Sequence, residues 1–454
     1  MVAQFPRDPR CGLLRRLVAH PVVEQVRAAG VVGAGGAGFP THVKLSAQVD
    51  TYICNAAECE PLLYKDQELM RVQAEAMVRG MRLGMAATGA KRGVIAIKEK
   101  YKSAIAALGR HTGSDIEFQM FGSFYPAGDE YVIVYDVTGR LIPHDGLPLN
   151  VGCAVNNVET LINIANASDG KPVTETSLTV TGAVARPCTV TVPIGVTASE
   201  VIAMAGGATV DDPVLLDGGA MMGKLADMQS VVTKTSGGYI VLPRDHQLIR
   251  RRTRPARANL TIAKSACDQC SYCTDFCPRF LLGYAIEPHK VMRSVGFEGD
   301  AEAGWARLGL ACCECNLCSL YACPEDLPVM EMCVRSKTVW RERGPKPEPL
   351  PSKGVVHPLR DSRRVPISRL IQRLGLMPWD RPSPLSEQRL APERVQIPLS
   401  QHIGAPAEPE VGVGDSVTAG QRIASVPEGK LGANVHASIA GRVTKIDNRI
   451  HIQR

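Results

Sequence analysis

Aromatic residues are scarce in this chain: Phe, Tyr and Trp together make up 5% of 454 residues. Stacking platforms interleaved with basic clusters, the usual equipment for nucleic acids, are therefore missing, and no nucleic-acid partner is expected. Charge lacks a dominant sign, with 52 Lys and Arg against 45 Asp and Glu and a net charge of +7. No apolar run approaches the ~20 residues of a membrane span, so no transmembrane segment is expected. The first residues lack the unbroken apolar core of a secretory leader, and Leu17-Val-Ala-His-Pro21 after Arg15-Arg16 does not continue a twin-arginine signal. These absences point to a cytoplasmic protein. Cysteine is not scarce: there are 15. In a reducing compartment such thiols bind metal instead of pairing. The length calls for about three or four domains.

Nine of the cysteines fall in two runs, and eight of them have the spacing of cluster ligands. The first is Cys267-Asp-Gln-Cys270-Ser-Tyr-Cys273-Thr-Asp-Phe-Cys277-Pro278; the second is Cys312-Cys-Glu-Cys315-Asn-Leu-Cys318-Ser-Leu-Tyr-Ala-Cys323-Pro324. Three thiolates at this spacing let a short loop wrap three corners of a cubane, and the fourth, before proline, reaches across to the other cluster. Two [4Fe–4S] clusters are expected. Cys267, Cys270, Cys273 and Cys323 would hold one; Cys312, Cys315, Cys318 and Cys277 the other. Structural zinc, which pairs two CxxC-like knuckles, fits the spacing poorly. The scattered remaining cysteines give no disulfide framework. The second run departs from the pattern twice. Its last gap has four residues, not three, and Cys313 stands beside Cys312 as a competing ligand.

Upstream, residues 13–29 read as a helix whose amphipathic stretch Leu13–Val26 either packs as the first helix of a domain or docks a partner. The segment Gly30-Val-Val-Gly33-Ala-Gly35-Gly36-Ala-Gly38 cannot continue it, because glycines at this density permit sharp turns and close ligand approach. Its Gly33-x-Gly35-x-x-Gly38 spacing formally matches a dinucleotide fingerprint. Lys44 follows, and could add charge beside phosphate-cradling amides or simply face solvent. A strand at 51–54, a helix at 66–83, a strand at 94–97 and a helix at 98–109 suggest an α/β layer; residues 131–137 are not settled by periodicity. Residues 173–243, rich in Thr and Val, read as short strands. The run Arg250, Arg251, Arg252, Arg254 and Arg257 reads as a solvated linker, with docking of an acidic partner as the alternative. Dense prolines from 344 to 392 read as a linker with one short helix near Ile367–Leu374. The last 60 residues read as short strands around tight turns.

Four segments in order, Val31 to Lys44, Asn55-Ala-Ala-Glu-Cys-Glu-Pro61, Tyr125-Pro-Ala-Gly-Asp-Glu130 and Val155-Asn-Asn-Val-Glu-Thr160, resemble the flavin-binding subunit of respiratory complex I. They resemble still more closely the Rnf-type electron-transport C subunit, which also carries two ferredoxin runs. The resemblance implies a multidomain α/β chain. It comprises a Rossmann-like FMN/NADH-binding domain (1–168), a soluble-ligand-binding β-grasp domain (169–248) and a helical two-cluster ferredoxin domain (255–340). A Pro-rich linker (341–392) and a barrel-sandwich domain (393–454) complete it. It further implies that Gly33, Gly35, Gly36, Gly38 and Lys44 hold FMN and help position NADH. Asn55, Glu58, Tyr125, Gly128, Asp129 and Glu130 would lie beside the flavin, and Val155, Asn156 and Asn157 would close over it. Complex I has arginine where this chain has Ala34 and an acid where it has Ala57, which bears on nicotinamide binding more than on flavin binding.

The barrel-sandwich motifs Gln401-His-Ile-Gly-Ala-Pro-Ala-Glu-Pro and Val435-His-Ala-Ser-Ile-Ala-Gly-Arg-Val443 stand at the C-terminus, whereas the Rnf-type proteins have them at the N-terminus. This permuted order is similar to that of the cobalamin reductases of bacterial propanediol-utilisation microcompartments. No lysine lies in Ala437–Gly441, so a carried prosthetic group is not expected. The resemblance implies a reductase that takes electrons from NADH through FMN and the clusters to cobalamin, down to cob(I)alamin. A cob(I)alamin adenosyltransferase would receive the product, with microcompartment shell proteins as further partners. The alternative is an Rnf-C-like relay component of a membrane ferredoxin:NAD oxidoreductase complex.

Overall fold

In the computed structural model the described residues are 20–297, 306–343, 350–351 and 354–454. Leu13 to Ala19 of the expected first helix lie outside them; the described part is Pro21–Ala28, which buries Val22, Val23 and Val26. A four-stranded, wholly parallel sheet follows, in the spatial order Ile116–Phe121, Arg92–Lys98, Thr51–Ala56, Cys153–Asn157. The central strands Arg92–Lys98 and Thr51–Ala56 are buried on both faces, as parallel sheets require, whereas the edge strand Ile116–Phe121 is partly exposed. The first strand of this sheet has its sequence neighbour on one side and a distant strand on the other. That is a topological switch point, where ligands bind outside the carboxyl ends of the strands. Asn55 and Asn157 stand at those ends.

The helix expected over 66–83 is two, Lys65–Val72 and Ala74–Thr88, broken at Gln73 (φ −118°, ψ 33°). The break lets each half face its own neighbour. The first packs on Lys102–Gly109 and the second on Val158–Ser168. At the second contact the backbones nearly touch: a Cβ on Gly80 would overlap the Leu161 carbonyl. The helix expected over 98–109 starts at Lys102, because Lys98 still belongs to its strand. Residues 131–137 form part of the helix Glu130–Thr138, capped by the Asp129 carboxylate, which accepts from the Tyr131 and Val132 amides at 3.0 and 3.2 Å. Its buried residues Val132, Ile133, Val134 and Val137 fall on several sides, which hides the helical period.

A five-stranded mixed sheet comes next, in the order Cys188–Pro193, Glu175–Gly182, Gly238–Pro243, Pro213–Asp217, Lys224–Ala226. Its helix Ala198–Met204 opens with a capping box between Thr197 and Glu200. This unit docks on the parallel-sheet unit through Glu60, whose carboxylate accepts from the Met221 and Met222 amides at 2.8 and 3.0 Å.

The arginine run is not a solvated linker. Arg250 to Arg252 lie in the helix Gln247–Thr253. Arg252 donates to the carbonyls of Gly223, Ala220 and Met221 at 2.6, 2.7 and 2.9 Å, and Arg251 pairs with Asp326 at 3.1 Å. Arg251 also donates to the Ser319 carbonyl at 2.5 Å, so these side chains tie the mixed sheet to the second cysteine run and the segment that follows it. The proline-dense stretch, where described, is no loose tether either. Val365–Pro366 pairs with Phe124–Tyr125, the helix Ile367–Arg373 buries Ile367, Leu370 and Ile371, and Ser386 bonds back to Thr189. The C-terminal strands form a four-stranded and a three-stranded sheet facing one core. The Ile403 amide of this unit donates to the Gly38 carbonyl at 3.0 Å, so the barrel rests on the glycine loop.

Candidate functional site

The glycine loop precedes the first strand of the parallel sheet instead of following it, so it is not the turn of a Rossmann fingerprint despite its spacing. A bridge between Val32 and Pro40 pinches it closed. The Gly33 amide donates to the Phe39 carbonyl at 2.9 Å, and the Ala34 amide to the Thr160 hydroxyl at 2.9 Å. Gly36 has φ +103°, and a Cβ there would meet nothing within 4 Å, so backbone conformation alone demands glycine and the loop faces open space. At Gly35 a Cβ would come within 3.3 Å of Asn157.

Lys44 gathers residues from three of the four sequence segments. Its ammonium donates to Glu130 Oε1 at 3.0 Å and to the Val155 carbonyl at 2.9 Å. Asn55 donates to the Gly128 carbonyl at 2.9 Å, and Asn157 to Asp66 Oδ2 at 2.7 Å. Glu58 stands close by, its carboxylate accepting from the Glu60 amide at 3.1 Å and its carbonyl from Lys98. These contacts gather Lys44, Asn55, Gly128, Glu130, Val155 and Asn157, with Gly35 against Asn157, around the carboxyl ends of the parallel strands, the crevice of the switch point.

Asn156 and Tyr125 are placed elsewhere. Strand alternation turns Asn156 to the opposite face from its neighbours, where it donates to Tyr52 Oη at 2.7 Å. Tyr125 is fully buried on the cysteine side, and its hydroxyl donates to the Cys315 carbonyl at 2.8 Å. Asp129 faces both ways, capping its helix and accepting from Arg279 at 2.9 Å.

Beneath the crevice lies a charged cluster that the sequence pattern does not assign. Lys65 pairs with Glu159 at 2.6 Å and donates to the Ala34 carbonyl at 3.0 Å, with side chains 2% and 7% exposed. Burial opposes the Lys65 charge, but Glu159 and Asp66 outweigh it and hold its pKa above the usual lysine range. The Asp66 carboxyl is pushed up to about 7, by burial first and the nearby Glu58 charge second. Its Oδ1 is buried without a hydrogen-bond partner. Charged residues on the otherwise apolar face of the 66–83 pattern are the available signal. Removing one member of a buried pair leaves the other uncompensated, at a cost of about 3–5 kcal/mol. Lys65→Ala is therefore expected to lower the urea midpoint of the parallel-sheet unit strongly; an unchanged midpoint would refute the pairing.

These features fit a flavin mononucleotide. A glycine loop open to solvent, with the Lys44 ammonium 5.8 Å from the centre of the Phe39 ring at its end, suits a phosphate, and an unpartnered buried carboxyl oxygen suits a hydroxyl donor.

The cysteines of the two runs lie close together. Cys267, Cys270, Cys273 and Cys323 line one cavity, with His289 and Met292 at its wall. Cys315 meets Cys313 first and then Cys318 and Cys277, and Cys318 meets Cys312, Cys277 and also Cys273 of the other run. Burial and then its sulfur neighbours push the Cys273 thiol up to about 12. The two loops repeat one backbone conformation. Gln269 and Ser271 in the first, Glu314 and Asn316 in the second, all have φ between +60° and +67° although none is glycine. The shared register aligns Cys312 with Cys267 and leaves Cys313 opposite Asp268. The Cys312 sulfur also accepts from the Glu314 amide at 3.3 Å. The extra residue in the second run is absorbed by a π-helical turn, Cys318–Ala322, which widens the loop by one residue and delivers Cys323 to the other group. Among the described residues no three His, Cys, Asp or Glu side chains converge on one ion. A cubane is instead held by four thiolates spread around its irons.

The Tyr125–Cys315 and Asp129–Arg279 contacts place the group of Cys277, Cys312, Cys315 and Cys318 next to the crevice. The other group reaches solvent at Cys270 and Tyr272.

Family comparison assigns residues 26–166 to the Nuo51 FMN-binding domain, 177–225 to the SLBB domain, 266–328 to a 4Fe-4S dicluster domain and 382–454 to the RnfC barrel sandwich hybrid domain. Two curated proteins named cobalamin reductase PduS are similar over nearly the whole chain. The Salmonella typhimurium protein is 48% identical over 95% of this chain and 96% of its own, and the Citrobacter freundii protein 48% over 94% and 95%. The C subunit of the Na(+)-translocating ferredoxin:NAD(+) oxidoreductase complex of Acetobacterium woodii is 34% identical over 59% of this chain and 60% of its own. No described helix is long and apolar enough to cross a membrane.

Proposed function

The chain belongs to the PduS cobalamin reductase family, and on that premise we propose that it oxidises NADH and reduces cob(III)alamin through cob(II)alamin to cob(I)alamin. The observation that supports this beyond the family is the run of contacts from the crevice through Tyr125 and Asp129 to one cysteine group, and on to a second that meets solvent at Cys270.

In this reading the domains divide at about residues 168, 248, 340 and 392. Lys44 and the amides around Gly35 and Gly36 hold the phosphate of FMN, and Asn55, Glu58, Asp66, Glu130 and Asn157 orient the remainder. Asn156 and Tyr125 serve from behind, one bracing the strand and the other the cysteine loop. Cys267, Cys270, Cys273 and Cys323 hold one [4Fe–4S] cluster; Cys277, Cys312, Cys315 and Cys318 hold the other. When bound, FMN supplies the exchange between two-electron and one-electron transfer, and the clusters carry single electrons. One NADH balances the two electrons that take Co(III) to Co(I). The exposed rim at Cys270 and Tyr272 is where an acceptor too large for the interior meets the chain. Cob(I)alamin is oxidised readily, so direct hand-over to a cob(I)alamin adenosyltransferase is favoured over release. A microcompartment location, with shell proteins as neighbours, belongs to the same proposal.

The test is an anaerobic coupled assay with NADH, FMN-loaded protein, hydroxocobalamin, ATP and an adenosyltransferase. Adenosylcobalamin is expected at a rate proportional to this protein. Reduction of artificial dyes with no corrinoid passing Co(II) would overturn the proposal in favour of a relay component.

A further inference from the structure

Arg279 stands two residues beyond Cys277, in the short helix Pro278–Leu281. Its guanidinium is buried, with the side chain 11% exposed. One nitrogen donates to Asp129 Oδ2 at 2.9 Å. The guanidinium carbon sits 3.3 Å from the centre of the Tyr131 ring and 6.0 Å from that of Tyr284. Nε and Nη1 are shut off from solvent and bond no oxygen. The Cys313 thiol lies beside the group, and Cys277 in turn neighbours Cys312 and Cys313.

A buried cation paired with a single carboxylate is costly unless something further that is negative meets it. Asp129 offsets part of the charge, and the Tyr131 face adds a cation–π contribution. Beyond Asp129 and the Tyr131 ring, the group that the guanidinium meets is the Cys313 thiol. The potential of an iron–sulfur cluster depends on net charge, burial and hydrogen bonds to its sulfurs. A fixed cation nearby favours the reduced, more negative state.

We propose that Arg279 is a positioning residue that holds positive charge against the cluster of Cys277, Cys312, Cys315 and Cys318 and raises its reduction potential. Asp129 moderates the effect by holding the guanidinium in place and opposing part of its charge. The same pair joins the flavin crevice to this cluster, so the step nearest the flavin is the one it tunes. This rests on the assignment of those cysteines to a cluster.

The test is an EPR-monitored redox titration of both clusters in the anaerobically purified holoprotein. Arg279→Gln is expected to lower the midpoint of one cluster only, by about tenfold in the reduced-to-oxidised ratio, or about 59 mV for one electron. Asp129→Asn keeps an effective helix cap and removes the opposing charge, so it is expected to shift the same cluster in the opposite direction. This second variant carries the test if Arg279→Gln fails to accumulate. Unchanged midpoints in cluster-loaded variants, or equal shifts of both clusters, would overturn this inference alone. Wild-type protein without acid-labile sulfide would overturn the cluster assignment as well.

Discussion

Cys318→Ala is expected to abolish corrinoid reduction while NADH oxidation by a hydride-accepting dye persists. Cys318 is buried between Cys312 and Cys277 and opens the π-helical turn that delivers Cys323 to the other group. Loss of its sulfur removes one of four ligands at the cluster nearest the crevice and disturbs the turn that supplies the second. Electrons then have no short route past Tyr125. Cys270→Ala is the contrasting variant. Cys270 is exposed at the far rim, so its loss is expected to remove one cluster's signal and leave much of the other. The measurements are iron and acid-labile sulfide per chain and the EPR spectrum of the reduced protein. Wild type should give about eight iron as two cubanes. About one zinc and no sulfide would refute the assignment. So would full corrinoid reduction by Cys318→Ala.

The cysteine groups are legible in the sequence because cubane ligation is local: three thiolates per loop, spaced to wrap one body, leave a pattern that needs no tertiary information. The crossing of Cys323 and Cys277 is an expectation of the same chemistry. What spacing cannot show is how the second run fits its extra residue, since a π-turn is a property of backbone hydrogen bonding. The crevice is legible as four segments, but not side chain by side chain. Asn156 and Asn157 are adjacent letters, yet a strand sends them to opposite faces, and which face holds the ligand depends on the sheet's neighbours. Tyr125 travels with its segment in the sequence, whereas packing turns its hydroxyl to Cys315. Lys65, Asp66 and Glu159 stay hidden because charge within an apolar pattern is ordinarily solvated. Here three elements converge to bury it. Arg252 misleads for a related reason. A charge run has no visible partner in sequence, and its partners are carbonyls of a loop about thirty residues upstream.

Lys44→Ala is expected to weaken FMN retention by about ten- to a hundredfold, with NADH oxidation falling in parallel. A hydrogen bond to a charged group contributes about 1.5–3 kcal/mol, and each 1.4 kcal/mol is tenfold in affinity. The loss acts in two ways. The ammonium lies 5.8 Å from the centre of the ring of Phe39, the residue that ends the glycine loop, where a phosphate would otherwise meet amides alone. It is also the link between Glu130 and the Val155 carbonyl, so without it the helix beginning at Glu130 and the strand end at Val155 lose their shared partner. Removing the cation leaves the Glu130 carboxylate unopposed near an anionic ligand, which adds repulsion to lost attraction. Lys44→Arg, which keeps charge with a different shape, is expected to retain more flavin than Lys44→Ala. The measurements are the flavin-to-protein ratio after desalting and the FMN concentration that restores half-maximal NADH-to-dye activity. If excess FMN restores the wild-type rate, Lys44 acts in binding; if flavin stays bound and the rate still falls, it acts in positioning NADH. Full flavin occupancy with unchanged rates would remove Lys44 from the site, and with it the argument that the glycine loop faces the phosphate.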